Sequence, residues 1–214
     1  MARMKRTAIL AAALLLAPTL RADDLGAFVD KVIAAHGGTA AWAKVTRIDG
    51  TAKVTPAMRA GNGKMTRSWS GAGDLRVEIA YPDRTEVRVL EKGKGTNNGR
   101  ESNAMELAAM RLQAARIALP KLLAEKKASL RDLGTKDGVR SIEVPIDAQL
   151  SMTVDVDPAT ARIVRSTGHS GAMSFTTAYG DYLEIGGLLI AFHEENEAMG
   201  MKTANIDFDR VDVK

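Results

Sequence analysis

The chain has 214 residues, 45% of them hydrophobic and 26% charged, and a formal net charge of +4. These values are typical of an ordinary globular protein and predict one domain with one sizeable core. The chain has no cysteine, which excludes a disulfide framework and lipid attachment through a cysteine at a cleavage site.

Residues 1–22 have the organisation of a secretory signal sequence. Basic residues precede an apolar run over residues 8–17, and the small residue Ala22 follows. The run has about half the length that a membrane-spanning helix needs. We therefore expect cleavage after Ala22 and a soluble, periplasmic domain over residues 23–214; an uncleaved anchor is the alternative.

Cleavage would also change the charge of the protein. It removes four basic residues and no acidic one, namely Arg3, Lys5, Arg6 and Arg21. The formal charge of the mature domain is then zero, and basic and acidic residues alternate along it. Because nucleic-acid binding needs a concentrated basic face, we expect no nucleic-acid partner.

The first half of the mature domain predicts a helix, a group of strands and a second helical region. Asp24 opens the amphipathic segment "DLGAFVDKVIAAHGG", which Gly37 and Gly38 end. Four strand patterns then follow, "RIDGTAKVT", "KMTRSWS", "DLRVEIAY" and "TEVRVLEKG". A loop, "KGTNNGRES", leads to the helical stretch over residues 104–125.

The second half of the domain consists of strand patterns. The segments "SLRDLGTKDGVRSIEVPI" and "SMTVDVDPATARIVRS" each predict a hairpin, and three longer strands complete the chain. The total is about 10–11 strands. Strands and helices do not alternate regularly, so we predict an α+β fold with a large antiparallel sheet, an N-terminal helix and a central helical insertion.

The helical stretch has two apolar stripes, whereas an ordinary surface helix has one. The first stripe contains Met105, Ala108, Leu112, Ala115 and Leu119. The second contains Leu107, Met110, Ala114 and Ile117, and polar bands with Glu106, Arg111, Gln113 and Arg116 separate the two. Pro120 predicts a break near Leu119 and a second short helix after it.

The two stripes have two interpretations. In one, the helix is ordinary core, buried between the sheet and the N-terminal helix. In the other, it is a lid over a cavity for an apolar ligand. The lid interpretation assigns Leu112 and Leu119 to an anchor against protein, and Met110 and Ile117 to the cavity.

Several motifs resemble catalytic sites without the required context. Ser170 in "GHSGA" lies between strand patterns, whereas a lipase elbow needs a helix after the serine. His193 in "HEENE" lacks the second histidine of a zinc helix. His36, at a helix C-terminus, is well placed to interact with the helix dipole. We therefore predict no catalytic residues, no metal and no cofactor.

Several segments, in this order, resemble a known family: "GAFVDKVIAAHGGTAAWAKVTRIDGTAKV", "LRVEIAYPDRTEVRVLEKGKG", "MTVDVDPATARIVRS", "YGDYLEIGGLLIAFHEE" and "ANIDFDRVDV". The family is the periplasmic outer-membrane lipoprotein-sorting superfamily, the LolA/LolB-like proteins. Nearly the whole mature chain is covered, and the succession of segments carries the resemblance more than any single motif. It implies an incomplete antiparallel β-barrel curled around a hydrophobic cavity, with helices inserted as a lid.

The chain departs from the lipoprotein carrier at one position. There, an Arg-Pro pair precedes a strand and the arginine latches the lid. Here the matching segment reads "GAGDLRVEI", with Gly71 and Ala72. Arg67 and Arg76 are the nearby candidates to replace the arginine. The absence of cysteine excludes the membrane-anchored receptor form.

We expect a non-catalytic periplasmic carrier or chaperone, acting as a monomer on lipid or acylated protein, with a membrane transporter or receptor as a candidate partner. The alternative is an envelope sensor or interaction module that binds an apolar ligand and signals to a membrane partner; an exported hydrolase is a third hypothesis. Each candidate wall residue is alternatively plain core. The candidates are Met58, Met65, Trp69, Leu75, Val77, Ile79, Val87, Val89, Met105, Met110 and Ile117.

Overall fold

The computed structural model describes residues 22–214. Apart from Ala22, the predicted signal sequence therefore lies outside the described residues. The helices are α1 (Ala22–Ala35), α2 (Gly38–Trp42), α3 (Ala104–Ile117) and α4 (Leu119–Glu125), and a 3-10 turn follows at Lys127–Ser129. None of the helices within residues 22–214 is long and apolar enough to cross a membrane.

All strands of the described residues form one antiparallel sheet. The strands are β1 (Arg47–Pro56), β2 (Gly63–Ser70), β3 (Leu75–Ala80), β4 (Thr85–Glu91), β5 (Lys94–Asn97), β6 (Arg100–Glu101), β7 (Arg131–Lys136), β8 (Val139–Pro145), β9 (Leu150–Asp157), β10 (Arg162–Ser170), β11 (Met173–Ile185), β12 (Leu188–Ala198) and β13 (Met201–Val213).

The sheet is open. Its order is β6-β5-β4-β3-β2-β1-β13-β12-β11-β10-β9-β8-β7, so the first and last strands of the chain pair in its middle, with Ile48 opposite Val213. The edges β6 and β7 do not pair with each other to close it. The predicted α+β fold, an incomplete antiparallel barrel with a helical insertion, is confirmed.

The predicted number of strands, about 10–11, is too low, because the sheet has 13. The two missing strands are β5 and β6, inside the segment predicted as a loop. They form a hairpin around Asn98 and Gly99, whose φ angles of 50° and 78° suit the Asn-Gly turn. With four and two residues, these strands are too short to produce an alternating apolar pattern.

The helical insertion begins and breaks at identifiable residues. Asn103 caps α3: its side chain accepts a hydrogen bond from the Glu106 backbone N–H at 2.9 Å, and the Glu106 carboxylate accepts one from the Asn103 N–H at 3.0 Å. The helix breaks at Ala118, where φ is −118° and ψ is 42°. Pro120 lies in the first turn of α4. The predicted break and second helix are confirmed.

The middle residues of both apolar stripes of α3 are buried, but in different places. Met110 and Ala114 belong to a first core cluster, which is built mainly on β1–β4 and β13. Ala108 and Leu112, with Leu119 of α4, belong to a second core cluster, which is built on α1 and β8–β10. The helix therefore spans the open side of the curved sheet and connects the two clusters.

Two glycines allow α3 to lie close to the sheet on both sides. A Cβ atom at Gly168 of β10 would lie 2.8 Å and 2.9 Å from the Leu112 methyl carbons. A Cβ atom at Gly95 of β5 would lie 2.8 Å from the terminal methyl of Met110. Both distances are too short for ordinary contacts, so a side chain at either position has to displace its neighbour.

The two glycines should differ in their tolerance of alanine. Leu112 is 2% exposed and branched, so Gly168→Ala should lower the free energy of unfolding by about 1–3 kcal/mol. Gly95→Ala should cost less, because the flexible end of Met110 can move. Urea denaturation checks both values. Shortening Leu112 to Val in the Gly168→Ala variant should recover part of the lost free energy of unfolding. Equal losses of stability at the two glycines, or no recovery with Leu112→Val, would contradict the close-packing argument.

Candidate ligand cavity

A cavity of about 600 Å³ lies beneath α3, between the two core clusters; we name it the outer cavity. Its apolar wall is made of side chains that point inward from β1, β2, β3, β11 and β13. They include Val54, Met65, Val77, Ile79, Phe175 and Ile206. The volume lies in the range of small-molecule sites, and the wall suits an apolar chain.

A much smaller inner pocket, of about 60 Å³, lies deeper in the fold. His36, just after the end of α1, lines one side of it, together with residues of α2 and α4 such as Trp42 and Leu119. Tyr179 and Tyr182 of β11 also line it. Arg116 lines both the outer cavity and the inner pocket, so its side chain lies where the two meet.

The interior contains an ion pair. Arg67 of β2 donates from Nη1 to Glu194 Oε1 of β12 at 2.8 Å, and the two side chains are 9% and 7% exposed. The guanidinium also lies 4.4 Å from the ring centre of Phe208. Strands β1 and β13 separate β2 from β12, so the pair reaches across two strands. Removing one partner would leave a buried charge, which is strongly destabilising.

The surface of α3 that faces the outer cavity is one of its polar bands. Gln113 and Arg116, with Ala109, line the outer cavity. Arg111, in the opposite band, pairs with Asp147 at 2.5 Å with its side chain 40% exposed. Burial lowers the pKa of the Arg116 guanidinium, and its Nε atom is buried without a hydrogen-bond partner among the described residues.

The polar groups around Arg116 come from β11 and β12. Glu194 Oε2 is also buried, and no atom of residues 22–214 hydrogen-bonds to it. Tyr179 Oη lies 2.6 Å from Ser166 Oγ, and burial raises the pKa of Tyr179 to about 12, so this phenol stays neutral. Burial raises the pKa of Tyr182 as well. Among residues 22–214, the charged side chains that line the inner pocket are therefore Arg67, Glu194 and Arg116.

The sequence contained a signal for these interior charges. Arg67 is in phase with the inward residues Met65 and Trp69 of β2. Glu194 is in phase with the inward Leu188 and Asn196 of β12. A charged residue in the inward row of a strand is unusual because its burial needs a partner. Hydrophobicity alone does not detect such charges, because it points only to the apolar residues of an inward row.

The structure places four of the predicted wall residues, Met58, Met65, Val77 and Ile79, at the outer cavity. Ile117 lines the inner pocket. Trp69 is a core residue that borders an outer groove, and Leu75 is a core residue.

The remaining four candidates lie elsewhere. Met110 is 3% exposed and packs at Gly95 instead of at the cavity, and Met105 is 52% exposed at the start of α3. Val87 and Val89 pair with Glu78 and Arg76 on the outer face of the sheet. The row of β4 that faces inward carries Glu86 and Arg88 instead, so here the apolar row is the outer one.

The contact at the position of the missing Arg-Pro pair comes from α4. Lys121 Nζ donates to the backbone carbonyl of Gly71 at 3.2 Å. Neither expected replacement forms an ion pair with the helical insertion within residues 22–214: Arg67 pairs with Glu194, and Arg76 pairs with Glu78 on the exposed face. The contact thus runs in the opposite direction from the expected latch. Instead of an arginine before the strand reaching the lid, a lysine of the helical insertion reaches a carbonyl in the turn before β3.

The motifs that resemble catalytic sites occupy ordinary positions. Ser170 ends β10 at a hairpin, and His193 lies in β12, where its Nδ1 is 2.6 Å from Asp207. Within residues 22–214, no three His, Asp or Glu side chains are grouped so that they could hold a metal ion.

His36 corrects the dipole interpretation. It is 3% exposed, its Nδ1 lies 2.8 Å from the Val32 carbonyl, and burial lowers its pKa, so the ring is held neutral. A neutral imidazole gains little from the helix dipole. Its role is to donate to that carbonyl and pack beside the inner pocket.

Similar structures agree with this architecture. An outer membrane lipoprotein-sorting protein domain from Vibrio parahaemolyticus has a TM-score of 0.51 and 11% identity, covering 91% of this chain and 94% of that one. A LolA superfamily protein from Nitrosomonas europaea has a TM-score of 0.55 and 11% identity, covering 88% and 92%. A DUF1329 family protein from Desulfovibrio piger has a TM-score of 0.54 and 10% identity, covering 89% and 93%.

These similarities establish a LolA-like fold. No protein-family model matches the sequence, and no curated protein matches it. The fold thus rests on the structural similarity and on the sheet and helices described above.

The two histidines with shifted pKa values should make opposite contributions to the pH dependence of stability. The pKa of His36 is lowered, so on acidification below about pH 6.5 the unfolded chain gains a proton that the folded chain refuses, and stability falls. The pKa of His193 is raised because it hydrogen-bonds to Asp207. The contribution of protonated His193 to stability is therefore fully present below pH 6.5, and it is lost as the pH rises through the pKa of His193 in the folded protein.

Urea unfolding of His36→Gln and His193→Gln between pH 5 and 8 measures both contributions. His36→Gln should flatten the loss of stability below pH 6.5. His193→Gln should remove the loss of stability that accompanies a rise in pH above 6.5. The slope of the unfolding free energy against pH separates these effects from any cost of the substitution that is the same at every pH. Profiles parallel to that of the unmodified protein would refute the assignment.

Proposed function

We propose that this protein is a periplasmic, non-catalytic carrier or chaperone that binds lipid or a lipid-modified protein. The observation that carries the proposal is the outer cavity, which has a volume of about 600 Å³ and an apolar wall beneath α3. The LolA-like fold supports it, because one similar structure is a lipoprotein-sorting domain. In this proposal, binding depends on shape and apolar area, and no bond is made or broken.

The surroundings of the cavity also support an apolar ligand. Met58, at the wall of the outer cavity, is 75% exposed in the turn between β1 and β2. Met199, in the turn between β12 and β13, and Met201, the first residue of β13, are 54% and 60% exposed. A hydrogen bond of 2.9 Å from the Ala57 N–H to the Thr203 carbonyl joins the two turn regions. Flexible methionine side chains can adapt to ligands of varied shape.

We further propose that residues 1–22 are a signal sequence and that residues 23–214 form one ligand-binding domain, acting as a monomer. A membrane transporter or receptor would supply or accept the ligand. The proposal rests on the basic start and short apolar run of the sequence.

Export predicts a protein that begins at Asp23 in the osmotic-shock fraction. N-terminal sequencing of that fraction checks the cleavage site. Recovery of the chain in the membrane pellet with Met1 intact would contradict it and support the uncleaved anchor.

Filling the outer cavity should abolish ligand binding without unfolding the protein. Ala109 of α3 faces the cavity and is only half-buried, so a phenylalanine there projects into the empty volume. Ala109→Phe should lower the affinity for a fluorescent fatty acid by about tenfold or more, because wall contacts provide most of the binding energy. Ala104→Phe, at an exposed position in the first turn of α3, is the matched control.

Native mass spectrometry of the exported protein completes this test. Co-purified acyl lipid is expected with the unmodified protein and with Ala104→Phe, and not with Ala109→Phe. If both variants bind the probe as the unmodified protein does, the cavity is not the binding site. A protein that carries no lipid and is indifferent to all probes would favour the envelope sensor or interaction module.

A further inference from the structure

Arg116 places an unpaired positive charge where the outer cavity and the inner pocket meet. Arg67 and Glu194 neutralise each other at 2.8 Å, which leaves one cation in excess among the three interior charges. The Arg116 Nε is buried and lacks a hydrogen-bond partner among the described residues. Arg116 is half-buried, and its Nε is shielded from water, so a ligand that brings the opposite charge and accepts a hydrogen bond from this guanidinium has an advantage there.

The rest of the outer cavity has the same sign of charge. Four arginines line it, Arg59, Arg84, Arg88 and Arg116, against two glutamates, Glu86 and Glu197. Glu86 is shared by three of the arginines, with distances of 3.1 Å to Arg59, 3.1 Å to Arg84 and 3.4 Å to Arg88. Positive charge thus remains in excess, and an anion is attracted from the wall inward.

We propose that the cavity binds an amphiphile with a single acyl chain and an anionic head, and that Arg116 holds the head. The head lies inside, at the junction of the two cavities, and the chain occupies the apolar wall of the outer cavity. The inference rests on the proposed lipid-binding function and deepens it, because it names the class of lipid and its orientation.

The size of the two spaces supports this orientation. The inner pocket, at about 60 Å³, admits a head group or ordered water and no acyl chain. The outer cavity, at about 600 Å³, admits a chain. Gln113, one turn before Arg116 and also at the outer cavity, can donate from its side-chain amide to the same anion. The guanidinium offers its own donors in a planar fork that matches a carboxylate or phosphate.

The internal alternative is that Arg116 only balances Glu194. Glu194 Oε2 is also buried without a partner, and its charge favours the cationic form of Arg116. In that case the three charges would form a closed structural group. The two explanations differ in what the removal of Glu194 does: it frees both arginines for an anion in our proposal, and it leaves a structural group incomplete in the alternative.

The test compares ligands of equal chain length, using displacement of a neutral fluorescent probe at pH 7.5. Dodecanoate should bind about ten- to a hundredfold more tightly than methyl dodecanoate, because only the acid forms charged hydrogen bonds. Arg116→Gln should reduce this ratio to about one while the affinity of the ester changes by about twofold or less. Arg116→Lys keeps the charge and should retain part of the preference.

Two further variants make the result specific. Arg76→Gln, on the exposed outer face, should leave the ratio unchanged. Glu194→Gln leaves Arg67 without its counter-charge and lowers stability, but in the protein that remains folded it should raise the affinity for dodecanoate several-fold, because it removes the competing carboxylate. Dodecyl phosphate tests whether the head is a phosphate instead of a carboxylate. Binding of either anion that is tighter than binding of the ester and depends on Arg116 supports the proposal. The anion that binds more tightly then identifies the class of head group.

Four results would overturn the proposal. Equal affinity for the acid and the ester in the unmodified protein would refute the anionic head and leave the carrier function standing. A preference that survives Arg116→Gln would assign the head to another residue. A fall in anion affinity in Glu194→Gln, with a folded protein by circular dichroism, would support the closed structural group. If neither ligand displaces the probe, both this inference and the proposed function fail.

Discussion

The fit of α3 across the open side of the sheet is the constraint on which the rest of the structure depends. An open curved sheet leaves two apolar arms without a partner, and a single helix covers both only if it is apolar on two sides. Met110 and Leu112 are each buried, on opposite arms. Gly95 and Gly168 bring the helix close enough for this contact. With α3 spanning the gap, the space beneath it becomes a cavity instead of a cleft.

The polar band of α3 follows from the same fit. Because the two stripes occupy the two arms, the surface between them has to face the cavity, and it carries Gln113 and Arg116. A charged residue there is unfavourable for folding unless it is compensated. The ion pair of Arg67 and Glu194 is internally compensated, whereas Arg116 is not. The sites where local rules of burial are broken without compensation in the fold are the expected positions of ligand contacts.

Much of the fold was predictable because it depends on local patterns. Alternation in β2 and β3, the capping residue Asn103 and the break before Pro120 all act over a few residues. The hairpin of β5 and β6 escaped prediction, since its strands are too short to alternate.

The candidate site was harder to predict, because it depends on which row of a strand points inward. In β4 the apolar row of Val87 and Val89 lies outside and the charged row of Glu86 and Arg88 lies inside. Hydrophobicity alone assigns these rows the wrong way round. The side of the sheet that α3 covers decides the assignment, and that is a long-range contact.

In the proposed function a ligand has to reach the cavity, and the burial of the middle residues of both stripes limits how it can do so. Burying one large apolar side chain stabilises a protein by about 1.5–3 kcal/mol, so lifting α3 exposes Met110, Leu112 and Ala114 at a cost comparable with a large part of a typical total stability of about 5–15 kcal/mol. The wall near Met58 presents no such barrier, because Met58 is already 75% exposed. Entry between the turns after β1 and β12 therefore keeps both core clusters intact. In this arrangement α3 acts as a fixed roof, and the adaptable part of the site is its methionine-rich edge.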